Sequence, residues 1–305
     1  MNVLVVGIGG IGGYLGAKLS LKYANSGIHT ISFMQRGNHK NAIETNGLSY
    51  IAKERITARP NAIYDSVKDL PLFDLVIFSV KAKDFISTAQ SLKGAIHAET
   101  ILLSTLNGVN NAKLLQEIFP ENIILNGCIY VSASIDSPGV VVQKGGAGLL
   151  YFGSDVFDVS NYTFVEYFFK EAGIKCELTE NITLEVWKKY FFICPFATVT
   201  SLYQMPIGAV LENVEAFDYW KGLFAELVIL SKSMGVELED NIFDAALERA
   251  KTIPYDTATS MQLDFQNGIY PEIDVFTGFV VEKSRELSLN VPFHNKAYDT
   301  LKQRI

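Results

Sequence analysis

The 305-residue chain contains only three cysteines, Cys128, Cys176 and Cys194. They are odd in number, sit in apolar or mixed surroundings and form no Cys-x-x-Cys pair, which argues against a disulfide framework and fits a reducing cytosol. The histidines, His29, His39, His97 and His294, are scattered and lack metal-ligand spacing to Cys, Asp or Glu, so no metal is expected. No run reaches the roughly 18 uncharged apolar residues that cross a bilayer, the nearest being the broken stretch Tyr190 to Val199, and no membrane partner is expected. The N-terminus lacks a basic region followed by a long apolar stretch, so export is not expected and the cytoplasm is. Basic charge is also short: 26 Lys and Arg against 33 Asp and Glu leave a net charge of -7, spread along the chain. Nothing in that balance attracts nucleic acid. There is no Gly-x-Ser-x-Gly elbow for nucleophilic catalysis. The aromatic stretch Tyr162 to Phe169 and the pair Phe191-Phe192 have no interleaved basic residues and read as core, not as a surface for stacking bases.

What remains is a globular composition, 49% hydrophobic and 19% charged, in a chain long enough for two cores. Short β-branched runs at Val3-Val6, Thr30-Met34, Leu75-Val80, Ile101-Thr105 and Ile123-Gly127 alternate with helical segments such as Ile11 to Tyr23 and Ala112 to Phe119. That alternation is the pattern of βαβ units and a parallel sheet. Leu48 to Ala58 reads as a strand pair. A second β-rich patch sets Val140-Val142 and Leu149-Phe152 on either side of a turn at Gly145 to Gly148. From about Thr179 the texture becomes helical, with apolar residues spaced as in Val210, Val214, Phe217 and Leu223. The expected class is α/β: a doubly wound sheet over residues 1-180, then an all-α domain over 181-305.

The first strand runs into Gly7-Ile8-Gly9-Gly10-Ile11-Gly12, a G-x-G-x-x-G turn that opens a helix. Gly7 permits the tight turn, Gly9 lets the backbone approach a pyrophosphate, and Gly12 lets helix and strand pack. Free N–H groups and the positive dipole end of the helix then meet the phosphates. In that strand-turn-helix context the motif points to a Rossmann-type dinucleotide site. The second strand ends at Phe33-Met34-Gln35-Arg36-Gly37, with no acid to hold the ribose hydroxyls of NAD. Arg36 stands there instead, with Lys40 a little further on, and a guanidinium suits the 2′-phosphate of NADPH. Lys81 and Asn107 follow the C-terminal ends of two predicted parallel strands, the edge where ligands bind in open α/β sheets.

These residues, together with Val80-Lys81-Ala82, Leu106-Asn107-Gly108, Trp187-Lys188-Lys189, Ser260-Met261 with Asp264, and Glu272-Ile273-Asp274, resemble the ketopantoate reductase family (2-dehydropantoate 2-reductases) over nearly the whole chain. The resemblance implies hydride transfer from NADPH to the ketone carbon of a 2-oxo acid, in ketopantoate a step of pantothenate and coenzyme A biosynthesis. It makes Lys189, not Lys188, the general acid, and sets Glu272 near that lysine and the cofactor ribose. It also implies cofactor contacts from Gly7, Ile8, Gly9, Gly10, Ile11, Gly12, Arg36, Lys81, Asn107, Ala133 and Glu272, and substrate contacts from Asn107, Lys189 and Ser260. An ammonium suits the chemistry, because it stabilises the alkoxide that hydride arrival creates and gives it a proton. Read without the resemblance, Lys189 is a surface lysine paired with Glu185 one turn earlier. Glu272, expected to start a helix after Pro271, is then a first-turn acid at a helix dipole.

The chain departs from the family where substrate is held. Ile193 and Ala197 stand one and two turns after the lysine, where the family presents asparagines, and Ile207 after Pro206 replaces a third. A site that hydrogen-bonds a hydroxyl discriminates strongly against analogues that lack it. Their loss therefore favours a more apolar 2-oxo acid, and a one-residue slip that placed Phe192 and Phe196 in the pocket would keep it apolar. Two other readings stay open: a different NADP-dependent hydroxy- or amino-acid dehydrogenase, and a catalytically silent NADPH sensor. Apolar helix faces in the second half allow a homodimer.

Overall fold

The structure, a computed structural model, describes residues 1–305. The chain divides into two compact units, Met1–Thr183 and Leu184–Ile305.

The first unit runs β1 (Asn2–Val6), α1 (Gly10–Tyr23), β2 (Thr30–Met34), α2 (Gly37–Asn46), β3 (Leu48–Ile51), β4 (Arg55–Ala58), β5 (Ala62–Tyr64), β6 (Phe73–Phe78), α3 (Ala82–Ser91), β7 (Ile96–Ser104), α4 (Asn111–Ile118), β8 (Ile123–Ser137), β9 (Val140–Gly153), α5 (Thr163–Glu171) and β10 (Cys176–Thr179). The strands form one sheet in the order β4-β3-β9-β8-β7-β6-β1-β2-β5, with β10 added to β9. From β8 through β7, β6, β1 and β2 to β5 every pairing is parallel.

This parallel core is covered on both faces, and side-chain alternation along the strands assigns each residue its layer. Val3, Val5, Leu75, Ile77 and Leu103 join Leu15 and Leu19 of α1 and Phe169 of α5 on one face. Leu4, Val6, Val76, Phe78 and Leu102 join Phe85 of α3 and Leu115 of α4 on the other. Doubly covered strands have no wet face, which is why they read as continuous apolar runs. Truncating one such side chain, Phe78 for example, costs about 3–5 kcal/mol.

The second β-rich patch differs from expectation. Val140 to Gly153 is a single strand, and the chain reverses at Gly139, where φ is +80°, so that β8 and β9 form a long antiparallel hairpin. Gly146 and Gly148 lie inside the strand at φ +79° and +69°, and the pairing shifts register between Tyr130 and Ser132 and again between Ser132 and Ala133. A glycine cluster signals positive φ, which bulges satisfy as well as turns do. β8 is correspondingly far longer than the Ile123-Gly127 segment.

The second unit comprises most of α6 (Ile182–Tyr203), then α7 (Ile207–Glu212), α8 (Val214–Ser233), α9 (Ile242–Lys251), α10 (Ser260–Gln266), a π-helical turn (Asp274–Gly278), α11 (Phe279–Glu286) and α12 (Pro292–Lys302). The periodic run from Val210 to Leu223 is two helices, not one. Asn213 breaks it, accepting the N–H of Ala216 to cap α8, and leaves Val214 77% exposed. Aromatic packing joins the helices: Phe196 and Phe191 of α6 meet Trp220 and Phe224 of α8 at 4.9 and 5.1 Å between ring centres. No helix is long and apolar enough to cross a membrane.

Candidate functional site

In the first unit the glycine turn is shaped by what its residues cannot carry. Gly7 sits at φ +86°, and a Cβ there would lie 2.8 Å from the Val80 side chain. One on Gly12 would meet the Gly7 carbonyl oxygen at 1.8 Å, and one on Gly10 the Ala133 oxygen at 1.9 Å. Gly9 alone faces open space, with nothing within 4 Å of a Cβ. Gly9 is also the N-cap of α1, so it brings no side-chain acceptor, and the first turn contains no acid. Room at Gly9 beside helix amides without a side-chain partner suits a diphosphate. These residues fit a dinucleotide.

Hydrogen bonds hold the turn on the ends of the strands. The Gly7 N–H donates to the Met34 carbonyl at 3.0 Å, and the Ile8 N–H to the Gln35 side-chain oxygen at 2.8 Å. Gln35, at the place where an acid is absent from β2, thus closes back on the glycine turn. Arg36 follows it, exposed, at the N-cap of α2. Lys40 is engaged elsewhere, with Asp65 at 2.8 Å and Glu44 at 3.2 Å. Asp65 is an acid the sequence reading missed. β5 pairs with β2 in the register Met34↔Tyr64, which delivers Asp65 beside the end of β2. Lys40, and to a lesser degree Arg36, holds its carboxyl below the usual carboxylate range.

Lys81 follows β6 as the exposed N-cap residue of α3, and Asn107 lies half-buried after β7. The ends of these neighbouring strands are tied by Ser79 and Thr105, whose hydroxyls lie 2.8 Å apart. Thr105 donates to the Phe78 carbonyl, so Ser79 is the donor to Thr105. The buried Asn111 amide lies within 3.1–3.3 Å of the carbonyls of Leu106, Asn107 and Gly108 and fixes the loop that presents Asn107. Its signal in sequence was only an Asn at a helix start.

In the second unit Lys188 and Lys189 separate cleanly. Lys188 takes Glu185 at 3.0 Å and approaches Glu239 at 3.7 Å, so the surface pairing open to Lys189 belongs to its neighbour. Lys189 is buried, 8% exposed, on the face of α6 that continues through Ile193 and Ala197 at four-residue spacing. Phe192 and Phe196 lie on a different face: they pack on each other at 5.3 Å, Phe192 lies under the Arg249 guanidinium at 4.6 Å, and Phe196 abuts Trp220.

Ile207 is buried at the start of α7, where its N–H and that of Gly208 hold the carbonyls of Thr257 and Tyr255. That bridge leads the chain to Thr259, which caps α10, and to the exposed Ser260. Thr259 also pairs with Thr200 of α6, their hydroxyls 2.8 Å apart. Glu272 is half-buried and does not open an α-helix. It precedes the π-helical turn, with its carbonyl accepting the N–H groups of Val275 and Phe276. No three His, Cys, Asp or Glu residues cluster in a way that could hold a metal.

Residues 3–155 match the family described as ketopantoate reductase PanE/ApbA, and residues 181–304 match its C-terminal family. The chain is 28% identical to the uncharacterized oxidoreductase YkpB of Bacillus subtilis (strain 168), over 99% of this chain and 98% of that protein. It is 26% identical to a 2-dehydropantoate 2-reductase of Streptococcus pyogenes serotype M3, over 96% and 94%. The crystal structure of a PanE/ApbA family ketopantoate reductase from Ralstonia eutropha JMP134 superposes with a TM-score of 0.90 at 25% identity, covering 100% of this chain and 98% of that one. With both family segments matched in order, the chain belongs to the ketopantoate reductase family, oxidoreductases that act on CH–OH and keto groups with NADP.

Proposed function

We propose that this protein reduces a 2-oxo acid to the 2-hydroxy acid with NADPH, and that its substrate carries a more apolar side chain than ketopantoate. The observation that carries this reading is the α6 face on which a buried Lys189 is followed by Ile193 and Ala197. NADPH, when bound, supplies the hydride. The glycine turn from Gly7 to Gly12 seats the diphosphate, Arg36 meets the 2′-phosphate, and Lys81, Asn107 and Ala133 complete the cofactor contacts. Asn107 and Ser260 orient the acid. As the ketone carbon gains its fourth substituent through a new C–H bond, the C=O π bond breaks and its electron pair moves onto oxygen. The Lys189 ammonium stabilises that charge and gives up a proton, and the neutral amine then regains one from solvent. Glu272, near the lysine and the cofactor ribose in the arrangement the family resemblance implies, complements the charge of the ammonium. Ile193, Ala197 and Ile207 supply apolar contact where a hydroxylated substrate needs hydrogen bonds. We place the reaction in the cytoplasm, in keeping with three buried cysteines that form no disulfide.

The test follows NADPH absorbance with ketopantoate and with 2-oxo acids bearing branched alkyl or aryl groups. Higher kcat/KM for the apolar acids is expected, and the double substitution Ile193→Asn with Ala197→Asn should shift the preference toward ketopantoate. A preference for ketopantoate in the native protein overturns the apolar assignment. Tight NADPH binding without turnover on any 2-oxo acid overturns the reaction itself.

A further inference from the structure

We infer that Tyr190 is a positioning residue for this reaction: its hydroxyl fixes the backbone that carries Glu272 with respect to Lys189. The inference rests on the roles proposed above for those two residues, and its geometry lies wholly within the second unit.

Tyr190 follows Lys189 directly on α6, and its ring is buried against Trp187, Phe276 and Phe279 at 5.7–6.2 Å between centres. Its oxygen lies 3.0 Å from the carbonyl oxygen of Val275 and 2.8 Å from that of Phe276. With one hydrogen to give, it shares that hydrogen between the two. The same two residues donate their N–H groups to the Glu272 carbonyl at 3.1 and 3.2 Å. The path from α6 to the acid is therefore the phenol O–H, two peptide units and the Glu272 backbone. A phenylalanine would fill the same space, so the hydroxyl contributes direction more than volume, and burying it is unfavourable unless it is bonded.

The segment it grips is a π-helical turn, closed by the Gly278 N–H donating to the Ile273 carbonyl at 2.8 Å. Such turns are rare and recur at functional sites. Thr277 adds a second tie, its hydroxyl 2.8 Å from that of Thr198 on α6. Thr198 donates to the Cys194 carbonyl, so the hydrogen between the two threonines comes from Thr277. On the outer side, the Asp274 carboxylate accepts from Tyr270, Tyr298 and Lys302, each at 2.8 Å. The turn is held from both sides, and Tyr190 sets the side that carries the lysine.

Tyr190→Phe tests this against Tyr219→Phe, which removes an equivalent phenol hydrogen bond, to the Phe293 carbonyl at 2.8 Å, in the same unit but outside the turn. For Tyr190→Phe, kcat is expected to fall about tenfold with both KM values within about twofold, as for a small misplacement of reacting groups. The basic limb of its kcat–pH profile should move to lower pH, because a carboxylate displaced from the ammonium no longer holds the proton on it. Amide exchange over residues 272–280 of the cofactor-free protein should quicken. Tyr219→Phe should lower Tm and leave kcat, the basic limb and that exchange unchanged. Thr198→Val, which frees the second tie, should repeat the Tyr190→Phe signature at smaller size and serves if Tyr190→Phe does not fold. Native kcat, basic limb and exchange in Tyr190→Phe, or the same changes in Tyr219→Phe, overturn the inference. Turnover that survives Lys189→Ala instead overturns the role of Lys189, while the exchange measurement still judges the tie.

Discussion

The glycine turn and the lysine helix solve opposite problems. The turn is local, six consecutive residues whose shape depends on missing side chains, so a Cβ at Gly10 or Gly12 collides with backbone below 2 Å. The lysine helix is tied to segments far apart in sequence: the hydroxyls of Tyr190, Thr198 and Thr200 on α6 meet the carbonyls of Val275 and Phe276 and the hydroxyls of Thr277 and Thr259. A site built by exclusion tolerates no additions. A site built by cross-ties changes its chemistry one side chain at a time, and the substrate preference proposed above rests on such changes.

The largest expected effect falls on the helix. Lys189→Ala should lower kcat by roughly a thousandfold, within the range of general acid catalysis, while NADPH affinity, read by fluorescence titration, stays near native. Retained turnover would remove the contrast, leaving a binding turn and a merely structural helix.

The turn is probed by a pair of substitutions that look alike and should act differently. Gly12→Ala forces Gly7 to move, since its Cβ would lie 1.8 Å from the Gly7 oxygen, and should destabilise the free protein by about 1–3 kcal/mol. Gly9→Ala meets open space, so the Tm of the free protein should hold. If the diphosphate lies where proposed, the same methyl meets it, and NADPH affinity should fall by about tenfold or more, some 1.4 kcal/mol. Unchanged affinity in Gly9→Ala would mean the cofactor does not approach the turn there.

The two regions also differed in how they read from sequence. The turn, the parallel strands and both helical coverings were legible because steric exclusion and side-chain period are local properties. Lys189 could be separated from Lys188 only by family resemblance; the structure adds that the surface pairing with Glu185 is made by Lys188. Three features escaped for want of local signal. β5 is three residues long, too short to show a period, and with it went Asp65. Glycines 145 to 148 encode positive φ without saying whether a turn or a bulge will use it. Tyr190 lay inside an apolar run, where a phenol and a phenylalanine look the same until the acceptor carbonyls 85 and 86 residues away are in place.

A smaller effect should appear at the end of β2, where the first unit sets a base against an acid. Arg36→Ala should weaken NADPH far more than NADH. Asp65→Asn removes a negative charge from beside Arg36, the residue proposed to meet the 2′-phosphate, and leaves Lys40 with Glu44. NADPH affinity should then rise by roughly two- to fivefold at low salt and less at high salt, as exposed charges allow, with NADH unaffected. Equal changes for both cofactors would detach Asp65 and Arg36 from the phosphate.

A pH dependence should also appear in both units, centred on one buried histidine in each. In the second unit the His294 ring, fully buried, gives its Nδ1 hydrogen to the Glu226 carboxylate at 2.7 Å, and that carboxylate also caps α12 through the N–H groups of Phe293 and His294. Its Nε2 has no partner, so a second proton would be buried unpaired, and burial outweighs Glu226 in pushing the pKa below its usual 6.5. In the first unit His39 Nδ1 accepts the Gly139 N–H at the turn of the β8–β9 hairpin, a bond that protonation there would break, and burial lowers its pKa too. For both, the folded value lies below the unfolded one. As pH drops below 6.5 the unfolded chain binds protons that the folded chain refuses, and stability falls by at most about 1.4 kcal/mol per pH unit for each histidine. Tm should therefore decline from roughly pH 7 to pH 5.5, with His29, whose pKa is also lowered by burial, adding to the decline. His39→Asn should flatten that decline for the first unit, and His294→Gln for the second. A decline between roughly pH 7 and pH 5.5 unchanged in both variants would overturn the assignment to His39 and His294 and leave His29 as its source.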